Sequence, residues 1–186
     1  MVCLAVPPSV GRILVAGSVC WQGAARRRNK TVMGDRANVK IVQHSNKPDR
    51  AENIYLYTHW GGHDLPQSLQ CAMEFARGRW TDESYFTRCL ITEICKSATD
   101  ATGFGVSTYP TDNEHDILEV DAEAQKVRLL SREGYFDESK DWEKECRKVL
   151  AELTFEEFVA LPLSYSSETP FHVLDTLVRS KEKATE

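Results

Sequence analysis

Apolar and polar residues alternate along two early stretches of the chain. Val39, Ile41 and Gln43 alternate with Asn38, Lys40 and Val42, which predicts a short strand. The polar run 44–52, with Pro48, reads as a connecting loop. Residues 53–59 make the clearest strand, rich in aromatic and branched side chains. The period then lengthens. Leu65, Leu69, Ala72, Met73 and Ala76 fall on one helical face, with Pro66 in the first turn and Gly78 as a stop. Asp64 and Gln67 fit a capping box at its start. A second helix over 82–97 turns Tyr85, Phe86, Cys89, Leu90, Ile94 and Cys95 to one side.

From Thr102 the period returns to two. Phe104, Val106 and Thr108 alternate with Gly105, Ser107 and Tyr109, followed by strand-like runs at 116–121 and 126–130. The spacing predicts a three-stranded antiparallel meander. Residues 137–153 place Trp142, Cys146, Val149, Leu150 and Leu153 on one helical face. Thr154–Glu157 then reads as a capping box for a short helix, and Thr169-Pro170 as the start of another. Two strands, two helices, three strands and further helices predict an α+β fold, an antiparallel sheet of about five strands with the helices packed on one face.

Composition narrows the class. At 41 % hydrophobic and 27 % charged, the chain is neither disordered, nor collagen-like, nor a polytopic membrane protein. The net charge of -5 hides a division: residues 1–32 carry five basic groups and no acid, whereas 33–186 hold 18 basic against 28 acidic residues. An acidic body is repelled by phosphate backbones, so nucleic acid is not an expected partner. The 1–32 stretch, broken by Pro7, Pro8, Gly11 and Arg12, is too interrupted to span a bilayer. Its arginines follow the apolar run, unlike those of a secretory signal. An acid-free transit peptide fits better, and a start at Met33 fits best. The expected domain is therefore 33–186, with 1–32 as a basic extension outside the fold. The six cysteines form no CxxC pair and read as reduced thiols, three of them on apolar helix faces.

Candidate chemistry concentrates at one strand-to-helix junction, His59-Trp60-Gly61-Gly62-His63-Asp64. Amides freed at a helix start, with glycines allowing close approach, suit an anion, and two histidines can move a proton. A tight turn with Trp60 plugging the sheet edge accounts for the same residues without a ligand. Neither GxGxxG nor GxxxxGKS is present, and the histidines do not sit on a regular helix as in HExxH. In a second loop, Thr111-Asp112-Asn113-Glu114-His115-Asp116, Asp112 or Glu114 can orient a histidine if the two loops meet. Its spacing is not that of an EF-hand, and a solvated turn explains it, so no metal or cofactor is expected. Gly103-Phe104-Gly105-Val106-Ser107 lacks the second glycine of a nucleophile elbow.

The segments Met33-Gly-Asp-Arg-Ala-Asn38, Tyr55-Leu-Tyr-Thr-His-Trp-Gly-Gly62, Ala76-Arg-Gly-Arg-Trp80, Gly103-Phe-Gly-Val-Ser107 and Thr111-Asp-Asn-Glu114 carry a resemblance. Over about residues 33–130 the chain resembles a group of small, largely uncharacterised proteins of bacteria and their phages. The resemblance implies a start at Met33 and a cytoplasmic setting, and it supplies no catalytic residues. Two functions follow as expectations. The first is a small cytoplasmic binding or accessory protein that takes a protein partner, with no membrane association. The alternative is an enzyme or sensor acting on a small anionic, phosphate-bearing or nucleotide ligand at His59–Asp64.

Overall fold

In the computed structural model, residues 34–44, 51–98, 101–111, 113–132, 148–163, 171, 174 and 176 are described. All belong to the second of the two units into which the chain divides, Thr31–Glu186. The fold is α+β. Strands β1 (Ala37–His44), β2 (Ala51–Thr58), β3 (Phe104–Ser107), β4 (Ile117–Asp121), β5 (Lys126–Leu130) and β6 (Val149–Thr154) make one sheet in the order β3-β2-β1-β4-β5-β6. Helices α1 (Leu65–Phe75), α2 (Glu83–Ile94) and the short α3 (Phe155–Val159) accompany the sheet. No helix among the described residues is long and apolar enough to cross a membrane.

Alternation decides which side of the sheet is buried. Register places Val39 beside Leu56 and Leu118, Leu118 beside Leu129, and Val127 beside Leu153, so these side chains share one side. They join one core with Leu69 and Met73 of α1, Phe86 and Leu90 of α2, and Phe155 and Phe158 of α3. Each fully buried Leu, Ile, Phe or Met of this kind contributes about 1.5–3 kcal/mol over the exposed state.

The other side carries ions. Lys40, Glu119, Arg128 and Glu152 stand opposite one another on β1, β4, β5 and β6. They join at 2.7 Å (Lys40 Nζ to Glu119), 2.9 Å (Arg128 Nη1 to Glu119) and 2.8 Å (Arg128 Nε to Glu152). Arg128 also reaches Asp121 at 3.2 Å. Cross-strand charge pairs of this kind lock register, since a slip by one residue would turn each charge into the core.

The structure departs from the sequence expectation in four respects, three of them in the sheet. It has six strands and is mixed, because β1 pairs antiparallel with β2 and parallel with β4. The predicted meander divides: β4 and β5 form the expected hairpin, but β3 pairs with β2 at the far edge. The chain between them crosses from that edge to the other flank of β1. Residues 149–153, assigned to a helix, form β6, while Trp142 and Cys146 lie outside the described residues. Val149, Leu150 and Leu153 fit a helical face, but Ala151 and Leu153 also fit period two, and the open edge of β5 accepts them. Finally, Asp64 occupies the α1 cap position without a side-chain cap bond, and Gln67 donates to the Leu163 carbonyl instead.

Other local readings hold. Pro66 sits in the first turn of α1, the Asp82 carboxylate accepts from the Tyr85 amide at the start of α2, and Thr154 with Glu157 completes both halves of a capping box. Of the residues at and after Thr169-Pro170, Phe171, Leu174 and Thr176 are described and helical.

Candidate functional site

Asp35 lies in the lead-in to β1, immediately after Gly34, whose φ of 88° suits glycine. Its backbone is clasped to the β2–α1 loop on both sides: the Asp35 amide donates to the His59 carbonyl at 2.9 Å, and the Gly62 amide donates to the Asp35 carbonyl at 2.8 Å. The approach is so close that a Cβ on Gly62 would stand 2.7 Å from the Asp35 carbonyl oxygen. Glycine is therefore required at 62 by its neighbour, and the clasp aims the Asp35 side chain at the start of α1.

A second set of bonds brings the β3–β4 loop to the same place. Asn38, fully buried on β1, donates to the Asn113 side chain at 3.2 Å and to the Thr111 carbonyl at 3.1 Å, and it accepts from the Thr111 hydroxyl. The Glu114 amide donates to the Arg36 carbonyl at 2.8 Å, and Asn113 donates to the His115 carbonyl. These bonds hold His115 beside Asp35.

The result is a cluster of one carboxylate and two imidazoles. Asp35 Oδ1 stands 2.7 Å from His115 Nε2 and 4.0 Å from His63 Nδ1, while Asp35 Oδ2 accepts from the His63 amide at 3.0 Å. The imidazoles of His63 and His115 meet edge to face at 5.7 Å, and His115 stacks flat on Phe171 at 4.8 Å and 6°. All three residues are half-buried, with His63 the most open. Burial opposes ionisation of Asp35, but the bonds from His115 and the His63 amide, with the histidine charges, hold its carboxyl below the ordinary carboxylate range.

The residues expected from the sequence divide between this cluster and its surroundings. His63 belongs to it. His59 does not: its Nδ1 is paired with the Tyr57 hydroxyl at 2.7 Å, and its ring stands edge-on to Trp60 at 4.2 Å. Trp60 is 55 % exposed, beside Gly103. The Gly61 amide donates to Thr58 Oγ1 at 3.2 Å. The amides of Gly61, Gly62 and His63 therefore all donate within the protein. Asp64 stands at the α1 cap position. Asp112 lies outside the described residues. Glu114 orients no histidine; it pairs with Arg36 at 3.0 Å, and Asp35 does the orienting.

Sequence reasoning missed Asp35 and did not join His115 to His63. The only local signal was the glycine before His63, which marks a backbone approach without saying by what. Asp35, His63 and His115 each offer one ligand atom within 4.8 Å of the others, which makes them the cluster among the described residues able to hold a metal ion. The arrangement can position a proton between carboxylate and imidazole, or collect donors around a cation. No protein-family model, curated protein or solved structure matches the chain.

Proposed function

We propose that this protein is an enzyme or sensor that acts on a small phosphate-bearing ligand at the junction of the β2–α1 and β3–β4 loops. The observation that supports this reading is the Asp35–His115 bond of 2.7 Å with His63 beside it, all three side chains half-buried. A carboxylate that fixes one imidazole while a second, more open one stands alongside is an arrangement suited to delivering a proton to a ligand oxygen. His63 takes that role. The neighbouring amides of residues 61–63 are engaged internally, so histidine N–H groups rather than a backbone cradle face the ligand.

The test is thermal unfolding of the full chain against nucleotides and phosphosugars. A ligand at about 100 times its Kd adds about 2.7 kcal/mol, a rise of several degrees for a domain of this size. The shift is expected with one member of the panel and lost in His63→Ala and His115→Ala. A panel without any shift, or a shift untouched by both substitutions, overturns the reading.

A second reading, a cytoplasmic accessory protein that docks a protein partner, is favoured by Trp60 and Tyr109, which are 55 % and 62 % exposed. Its mark is a partner whose binding is lost in Trp60→Ala or Tyr109→Ser while His63→Ala leaves it intact.

A further inference from the structure

We propose that Asp35, His63 and His115 bind one divalent transition-metal ion of the zinc or cobalt type. The inference rests on the ligand-site reading above for the role of the ion, though not for the binding itself, and changes one part of it: with His63 Nδ1 on the ion, the ion rather than a proton from His63 meets the ligand oxygen.

The donor set argues first. Two imidazoles and one carboxylate are the ligands of catalytic zinc and of open-sided metal sites, where three protein ligands leave a position for water or substrate. The distances argue next. Ligand atoms about 2.0–2.2 Å from a tetrahedral ion lie about 3.3–3.6 Å from each other. Here Asp35 Oδ1 is 2.7 Å from His115 Nε2 and 4.0 Å from His63 Nδ1, one below that spacing and one above it. Binding would have to move Asp35 Oδ1 and His115 Nε2 apart by about 0.6–0.9 Å and draw His63 Nδ1 in by about 0.4–0.7 Å, with the ion taking the place of the hydrogen bond between Asp35 and His115.

The three donors are also held by separate means. Asp35 is fixed by the Gly62 clasp and the His63 amide, His63 sits at the turn into α1, and His115 is stacked on Phe171. Such support lowers the ordering cost of binding. Half-burial distinguishes this group from solvated surface carboxylates. The other histidine–carboxylate group, His44 with Asp121 and Glu123, is different in kind: Asp121 is already paired with Arg128 and accepts from the Ala124 amide.

The ion would also resolve a conflict in the ligand site. Asp35 alone repels an anionic ligand, whereas a divalent ion on two neutral imidazoles and one carboxylate leaves a net positive centre with an open position for a phosphate oxygen. The preference of the site then becomes that of a cation for oxygen donors.

The test uses the full, reduced chain. Zn²⁺ is titrated calorimetrically and Co²⁺ is followed by its visible absorption. One equivalent is expected to bind, weakened at least tenfold in His63→Gln and in His115→Gln and unchanged in His44→Gln. Absence of saturable binding overturns the proposal, as does binding indifferent to both site substitutions or a thiolate-to-cobalt charge-transfer band that reports cysteine ligands. Should the site variants unfold, Co²⁺ broadening of histidine ring signals in the unaltered protein decides the matter. His63 and His115 must broaden before His44 and His59, and the reverse order overturns it. The two readings fail separately. A ligand-dependent thermal shift lost in His63→Ala without metal binding removes the ion alone. One bound equivalent with no shift from any phosphate compound removes the ligand reading alone.

Discussion

Asp35 and His115 are 80 positions apart in the chain, yet Oδ1 of one stands 2.7 Å from Nε2 of the other. Their meeting is secured by backbone on one side and a buried amide on the other. Gly62 permits the loop after β2 to close on Asp35, and Asn38 ties down the loop that carries His115. Each support can be removed by itself.

Gly62→Ala is the sharpest test of the clasp. Its Cβ would meet the Asp35 carbonyl oxygen at 2.7 Å, so the loop or the lead-in to β1 must move. Forced overpacking of this kind costs about 1–3 kcal/mol. Chemical denaturation should show that loss. Gly78→Ala, whose new methyl group meets nothing within 4 Å, should be neutral to slightly stabilising.

Asn38→Ala removes the anchor of the β3–β4 loop. Asn38 has no exposed surface, and its amide group bonds to Thr111 and Asn113. Leaving those partners unsatisfied costs about 1–3 kcal/mol. Amide hydrogen exchange across residues 111–116 should accelerate more than across β5. Equal acceleration in both would mean that the bonds hold the fold in general and not this loop.

Arg128 and Glu152 face each other at the end of the ion ladder and should differ sharply on substitution. Glu119 and Asp121 are 8 % and 7 % exposed, so Arg128→Met takes one cation from two nearly buried carboxylates and leaves them Lys40 and His44. A loss of about 1.5–3 kcal/mol is expected, the scale of hydrogen bonds made to charged groups. Glu152, at the open end, should cost about 0.5 kcal/mol when replaced by alanine. Comparable losses from urea unfolding would contradict the burial gradient along the ladder.

His44 should make stability depend on pH with a definite sign. Its Nε2 faces Asp121 at 2.9 Å and its Nδ1 faces Glu123 at 2.9 Å, so both ring nitrogens can donate only in the imidazolium form. The bond to Asp121 raises its pKa above the ordinary histidine value, partial burial opposes this, and the nearby carboxylates add to the rise. A raised folded-state value stabilises fully below the unfolded pKa of about 6.5 and is lost as pH rises through the folded value. The stability advantage of the unaltered protein over His44→Gln should accordingly be largest in mild acid and shrink toward alkaline pH. A constant difference across that range would show that the charge of His44 plays no part.

Local periodicity carried much of this protein's secondary structure. The helical faces around Leu69 and Phe86, the strand through Leu56, the β4–β5 hairpin and the Thr154 capping box were all legible in the sequence. Each is settled within a few residues, by which side chains must leave water together and which backbone groups a neighbour can satisfy. The stretch 149–153 shows the limit of that information. Its apolar residues satisfy a helix and a strand equally, and the unpaired edge of β5 selected the strand. Nothing in the spacing placed β3 beside β2, or β4 parallel to β1, because pairing depends on partners distant along the chain.

The candidate site divides in the same way. Two glycines before His63 and a histidine in the 111–116 loop marked two places in the chain where a backbone turns and an imidazole is available. That they are one place, and that Asp35 rather than Glu114 supplies the bond to His115, was decided only when β1 took the centre of the sheet. There it pairs with β2 on one side and β4 on the other, which brings the lead-in to β1 and both loops to the same end. Short-range patterns set the elements. Burial of a common core set their neighbours, and the neighbours made the cluster.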